Sequence, residues 1–157
     1  MKEVVFIMNV LISACLLGVK CRYSGNGILI EDAESLKENF HLVPVCPEIF
    51  GGMSTPREPA EQRNGKVFSK SGEDVTAYFE KGAQEVLKLA RFYDCKYAIL
   101  KERSPSCGHG KVYDGSFSGT IIEGDGVLAD ILGKNGIEVF GESQLNYLLK
   151  LNSNKSL

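Results

Sequence analysis

No charge of one sign dominates this sequence. Its 18 lysines and arginines stand against 20 aspartates and glutamates, a net of −2, so no global field draws the chain toward a long nucleic acid or an anionic membrane surface. A complete set of intramolecular disulfides is excluded because five cysteines is an odd number. None is needed, since 157 residues that are 43% hydrophobic can bury one core without covalent staples. Reduced thiols and a cytoplasmic location are therefore expected. Internal repeats and low-complexity tracts are also absent, and the length fits one domain rather than two.

The apolar run VVFIMNVLI, residues 4–12, admits two readings. With Lys2 before it and Ile12-Ser13-Ala14-Cys15 at its end, it has the small-residue pattern of a bacterial lipoprotein cleavage site. Against this, Glu3 offsets Lys2, Asn9 interrupts the run, and Cys15 is followed by Leu16-Leu17-Gly18 instead of a polar tether. We read residues 9–14 as a buried strand that ends at Cys15. Met8 is then a candidate start, and residues 1–7 an N-terminal extension.

Short apolar or β-branched runs at 9–14, 41–46, 96–100 and 137–140 predict four strands. Helical patterns lie between and after them, at 32–39, 75–93, 127–132 and 144–151. In the second of these, Val75, Phe79, Ala83, Val86, Leu87 and Ala90 recur at spacings of three and four, with Asp74 placed to cap. Strands alternating with helices predict a single α/β domain over residues 8–151, with a mostly parallel sheet and flanking helices. Residues 152–157, NSNKSL, read as a flexible tail. The stretch 47–74 shows no sustained periodicity and reads as one long loop, a length that inside a compact domain points to function.

Cys15, Cys46 and Cys107 fall at or just beyond the ends of three predicted strands. In open parallel sheets those ends converge on one crevice where ligands bind. Three thiols from separate strands would meet there, as ligands of a metal centre or of Zn²⁺ with water in the fourth position. Cys95, between a helix and a strand, reads as a structural thiol. Cys21 is a fourth ligand, a redox partner of Cys15, or neither. Glu48, two residues beyond Cys46, is either a general base or a carboxylate at a helix N-terminus. Ser104 and Ser106 either contact a ligand edge or build a Ser-Pro turn that holds Cys107. Gly51, Gly52 and Gly108 would let backbone N–H groups approach a ligand. Of the basic residues Arg22, Arg57, Lys101 and Arg103, Arg57 is the candidate for ligand recognition. His109 is a proton shuttle or a bystander.

The segments SACLLGVKCRYSGNG, CPEIFGGMSTPREPAE, LKERSPSCG and YDGSF, with GDGVLADIL behind them, resemble the thiouracil desulfidase family of small iron–sulfur proteins. The resemblance spans residues 8 to about 142, with the motifs in family order. It implies a Rossmann-like domain in which Cys15, Cys46 and Cys107 hold a [4Fe-4S] cluster with one iron left open. The implied activity replaces sulfur by oxygen in a thiolated pyrimidine, a small-molecule thiouracil base or thiouridine nucleotide, and releases sulfide. Glu48 and Ser104 would then be catalytic, with Ser106, Arg57, Gly51, Gly52 and Gly108 at the substrate. The chemistry is coherent: thiolates ligate such clusters, and a soft thiocarbonyl sulfur matches an open iron site.

Overall fold

The computed structural model describes residues 7–155, and side chains as far as Ser153. In chain order the elements are β1 (Asn9–Ser13), α1 (Ala33–Asn39), β2 (His41–Val45), α2 (Pro47–Phe50), β3 (Ala60–Arg63), β4 (Lys66–Ser69) and α3 (Thr76–Phe92). They continue with β5 (Tyr97–Leu100), β6 (Lys111–Tyr113), β7 (Ile121–Glu123), α4 (Val127–Lys134), β8 (Glu138–Gly141) and α5 (Leu145–Lys155). The central sheet has the order β2-β1-β5-β8, and all three of its pairings are parallel. The predicted α/β architecture is therefore the one observed.

β1 occupies an interior position, between β2 and β5, and its apolar residues divide by the two-residue period of a strand. Leu11, with Ala98 and Leu100 of β5, packs against Ala83, Val86 and Leu87 of α3 and Leu128 and Leu132 of α4. Val10 and Ile12, with Ile99, pack on the opposite face against Leu36 of α1 and Leu145 and Leu148 of α5. A sheet covered on both faces needs strands that are apolar throughout, which is why VLI reads as a continuous run. Pro44 in β2 is tolerated because that strand lies at a sheet edge. Cleavage before Cys15 would delete β1 from between its two partners.

α3 buries Phe79, Ala83, Val86, Leu87 and Ala90, the predicted stripe, and Gly82 with them. Asp74 sits just ahead of it, where its carboxylate accepts the Thr76 N–H at 3.0 Å. α2 lies backbone to backbone on α3. A Cβ built on Gly82 would stand 1.7 Å from the Pro47 carbonyl oxygen, and one on Gly51 2.0 Å from that of Tyr78.

Residues 47–74 are not one long loop. They contain α2 and the antiparallel hairpin β3–β4, whose turn residues Asn64 and Gly65 have φ of 52° and 76°. Asn-Gly with both φ positive is the signature of a tight hairpin, and that dipeptide was the overlooked signal. A second hairpin, β6–β7, arises over residues 111–123, where no strand was expected. α5 runs to Lys155, beyond the 151 at which its periodicity fades. Of the N-terminal extension, residues 1–6 lie outside the described residues. Among the described residues, no helix is long and apolar enough to cross a membrane.

Because a methyl group at position 82 has no space against α2, Gly82→Ala should destabilise the metal-free protein by about 1–3 kcal/mol, the usual cost of overpacking. Urea unfolding followed by circular dichroism measures this. An unchanged midpoint would show that α2 can shift away from α3 at little cost.

Candidate functional site

The carboxyl ends of β2, β1 and β5 lie side by side and each is followed by a cysteine. Cys15 sits in a 3-10 turn, Ala14–Leu16, directly after β1. Cys46 follows β2 and caps α2, with Pro47 in the first helical position. Cys107 lies in the loop after β5, which is fastened to the start of α4. There the N–H groups of Val127 and Leu128 donate to the carbonyls of Pro105 and Ser106 at 2.9 and 2.8 Å, so the unpaired donors of the helix end hold the cysteine loop. All three thiols, together with Cys21, line one cleft of about 430 Å³.

Cys15, Cys21 and Cys107 are buried, and Cys46 is half-buried. Burial, reinforced by Cys46, pushes Cys15 up to about 11. Burial and then Cys46 push Cys21 up to about 12. Cys107 rises to about 12, chiefly through burial; the Ser13 hydroxyl pulls it back, while Cys15 and Glu48 push it further up. The Cys46 thiol lies 3.9 Å from the Cys21 carbonyl oxygen. Cys15, Cys21 and Cys107 therefore each feel a neighbouring cysteine.

Beside the thiols runs a hydrogen-bonded chain. The Arg57 Nε–H donates to Glu48 Oε1 at 3.0 Å, and the Ser106 hydroxyl donates to Glu48 Oε2 at 2.8 Å. Ser106 Oγ is 3.0 Å from Ser104 Oγ, which in turn accepts the backbone N–H groups of Ser106 and Cys107 at 3.2 and 3.1 Å. Ser104 thus builds the turn that presents Cys107, and its hydroxyl lines the cleft as well. Ser106 is only 1% exposed, with its hydroxyl engaged between Glu48 and Ser104.

Most sequence-predicted candidates meet here. Cys15, Cys46, Cys107, Glu48, Ser104, Ser106 and Arg57 all line the cleft, as do Arg22, Lys101 and Arg103. The three glycines are not among the lining residues. Gly51 stands against the Tyr78 backbone of α3 and Gly108 under the carbonyls of Ser104 and Lys111, where a Cβ would crowd backbone atoms, whereas Gly52 has a φ of +100° and only ordinary contact with the Tyr78 ring. Arg57 is held by protein groups on four sides, which leaves little of it to meet a ligand. Besides Glu48 its guanidinium donates to the carbonyls of Ser54 and Cys21 and to the Thr55 hydroxyl, at 3.1, 2.9 and 3.1 Å. Cys95 is buried under α3 and α4, outside the cleft lining. His109 pairs with Asp125 at 3.1 Å and lines a separate, more open groove of about 830 Å³ along β8 and α5.

Sequence reading missed the outer wall. Ala60 and Glu61 of β3 and Tyr113 and Gly119 of the second hairpin line the cleft, with Tyr23 and Ser13. Gln62 ties this wall to the cysteine loop through the carbonyls of Pro105 and Asp125 at 2.8 and 3.0 Å. The Glu61 carboxylate accepts the N–H groups of Gly115 and Phe117 at 3.0 and 3.1 Å. Ser13 Oγ accepts the Lys101 N–H at 2.9 Å. In the sequence the Asn-Gly turn signals the first hairpin, and the family motifs contain Ser13, Tyr23, Ala60, Glu61 and Tyr113 without showing that these residues meet.

A parallel α/β domain that gathers several thiols and a part-buried carboxylate at the carboxyl edge of its sheet has its candidate site where open α/β sheets bind ligands. More specifically, residues 10–144 match the family model for 2-thiouracil desulfurase, and the chain belongs to that family. Its solved relatives include a structure described as the [4Fe-4S]-dependent thiouracil desulfidase TudS, with a TM-score of 0.88 and 40% identity, covering 93% of this chain and 98% of that one. It is also 43% identical over 150 residues to the uncharacterized protein YbbK of Bacillus subtilis (strain 168), an alignment covering 89% of this chain and 99% of YbbK.

The shared burial of the thiols has a measurable consequence for the metal-free protein. Thiols that titrate at about 9 when unfolded titrate at about 11 to 12 when folded, so the folded state binds protons more tightly. That stabilisation is complete below pH 9 and is lost as pH rises through the folded values. Urea midpoints should therefore fall steadily from about pH 9 upward. A flat profile would mean that the thiols titrate alike in both states.

Proposed function

We propose that this protein exchanges sulfur for oxygen on a thiolated pyrimidine, a thiouracil base or a thiouridine nucleotide, and releases sulfide with no net redox change. In this reading Cys15, Cys46 and Cys107 hold a [4Fe-4S] cluster with one iron left open. The observation that carries it is the placement of three thiols at the ends of three adjacent parallel strands beside one part-buried carboxylate, in a member of the 2-thiouracil desulfurase family. Residues 8–151 act as one unit, and a reducing cytoplasm suits thiolates that must stay unoxidised.

The chemistry of the donor set fits a cluster: the thiols of Cys15, Cys46 and Cys107 line one cleft, and thiolates are the ligands of iron–sulfur clusters. Three thiolates with water in the fourth position would also suit Zn²⁺, and the [4Fe-4S] dependence of the solved relative favours the cluster. A cluster with an open iron supplies a soft Lewis-acid site for a thiocarbonyl sulfur.

The chain's own residues do the rest. Glu48 accepts a proton from the attacking water. The Ser106 hydroxyl, in contact with both Glu48 and Ser104, passes the proton along, and the Ser104 hydroxyl holds the ring edge. The water's oxygen replaces sulfur at the ring carbon, and both of its protons are accounted for in the sulfide that leaves. Lys101, paired with Glu142 at 2.6 Å, keeps a cation in the cleft lining, where an anionic product or a nucleotide phosphate meets it.

Anaerobic reconstitution followed by iron and sulfide analysis tests the cofactor, with about four of each per chain expected for a cubane. Cys15→Ala, Cys46→Ala and Cys107→Ala should each lose the cluster and the turnover of thiopyrimidine, while Cys95→Ala keeps both. A fully active Cys46→Ala variant would sink the three-ligand reading. Glu48→Gln should retain the iron and lose turnover by about 10²-fold or more, the usual weight of a general base. Normal turnover by this variant would remove Glu48 from that role.

A further inference from the structure

We infer that Arg57 is a positioning residue, acting on the reaction through Glu48 and not through the substrate. This rests on the desulfidase reading and extends it. The side chain of Arg57 is 6% exposed and that of Glu48 14%, so neither is free to sample solvent. Glu48 sits on a helix only four residues long, and a glutamate there has three rotatable bonds with which to leave the cleft. Its two carboxylate oxygens are claimed from opposite sides, Oε1 by Arg57 and Oε2 by Ser106. With Oε1 held, Oε2 remains directed at the serine pair and at the loop of Cys107.

Arg57 is itself fixed by more than one charge. Its backbone N–H donates to the Tyr23 carbonyl at 2.9 Å, and its guanidinium reaches Ser54, Thr55 and Cys21 besides Glu48. The Cys21 carbonyl that it grips is the one approached by the Cys46 thiol. A rigid planar fork can bind these acceptors together, and a lysine ammonium on a flexible stem cannot. The arrangement therefore joins three segments of the cleft wall, residues 21–23, 46–48 and 54–57, to the orientation of one carboxylate.

The test uses the reconstituted full-length protein and a thiouracil or thiouridine monophosphate substrate. Arg57→Ala should keep its iron and sulfide and its KM, while kcat falls by about 10²-fold, the scale of a misplaced catalytic group. Arg57→Lys should lose roughly tenfold in kcat, because it keeps the charge without the fork. Guanidinium ion at millimolar concentration should restore part of kcat to Arg57→Ala and none to the Arg57→Ala/Glu48→Gln double variant, a rescue that a general loss of folding does not show. If Arg57→Ala does not fold, Arg57→Lys carries the same split of kcat against KM.

A raised KM with unchanged kcat would make Arg57 a substrate ligand and overturn the inference, as would a kcat within twofold of wild type. A wild-type protein that carries its cluster yet leaves every thiopyrimidine unchanged would remove the desulfidase reading, and the positioning role with it. An active wild type with an unimpaired Arg57→Ala would remove the positioning role alone.

Discussion

The site depends on β1 lying between β2 and β5 in parallel register. Ser13 at the end of β1 is level with Val45 at the end of β2, and β5 runs alongside in the same sense. Each strand is followed by a cysteine-bearing turn or loop, so the three thiols arrive at one edge without any long excursion of the chain. β1 can hold that place because its apolar residues are buried on both faces, Leu11 toward α3 and α4, and Val10 and Ile12 toward α1 and α5. A strand so enclosed has little freedom to slip, since a one-residue shift would exchange its two faces.

Around this frame, the polar parts of the cleft are kept in place by backbone donors and acceptors. The start of α4 holds the carbonyls of the Cys107 loop, and the Ser104 hydroxyl closes the turn around the same cysteine. α2, which carries Glu48, is fixed by glycine-mediated contact with α3. Taking the Glu48–Arg57 pair out of water is costly, and the Ser106, Ser54, Thr55 and Cys21 partners offset that cost. No buried side-chain nitrogen or oxygen among the described residues is left without a partner. Exchange chemistry at a polar cleft gains from such preorganisation, because the groups need not reorganise when charge develops.

Legibility in the sequence followed burial. The four strands of the main sheet were readable as short apolar or β-branched runs, and α3 by its repeat of 3.6 residues, which DVTAYFEKGAQEVLKLA shows clearly. Both hairpins escaped because their strands, AEQR, KVFS, KVY and IIE, are short, mixed in polarity and mostly exposed or half-buried, so none shows a sustained apolar run. Gly51, Gly52 and Gly108 looked like ligand-approach positions because a glycine carries no mark of which neighbour it makes room for. In the structure a Cβ at these positions would meet Tyr78, Ser104 and Lys111, and the three glycines stand outside the cleft lining.

By itself, then, the sequence determined the α/β class and the identity of the strands that end in Cys15, Cys46 and Cys107, together with the family motifs around them. Both follow from information local to a few turns or strands. Tertiary structure alone decided that Arg57, in the cleft wall, grips Glu48, that Ser106 is sealed between Glu48 and Ser104, and that Glu61, Tyr113 and Tyr23 complete the wall. Those outcomes turn on contacts between residues up to 58 positions apart. Local spacing carries no record of such distant partners; they are selected only when the packed sheet brings separate loops within hydrogen-bond reach.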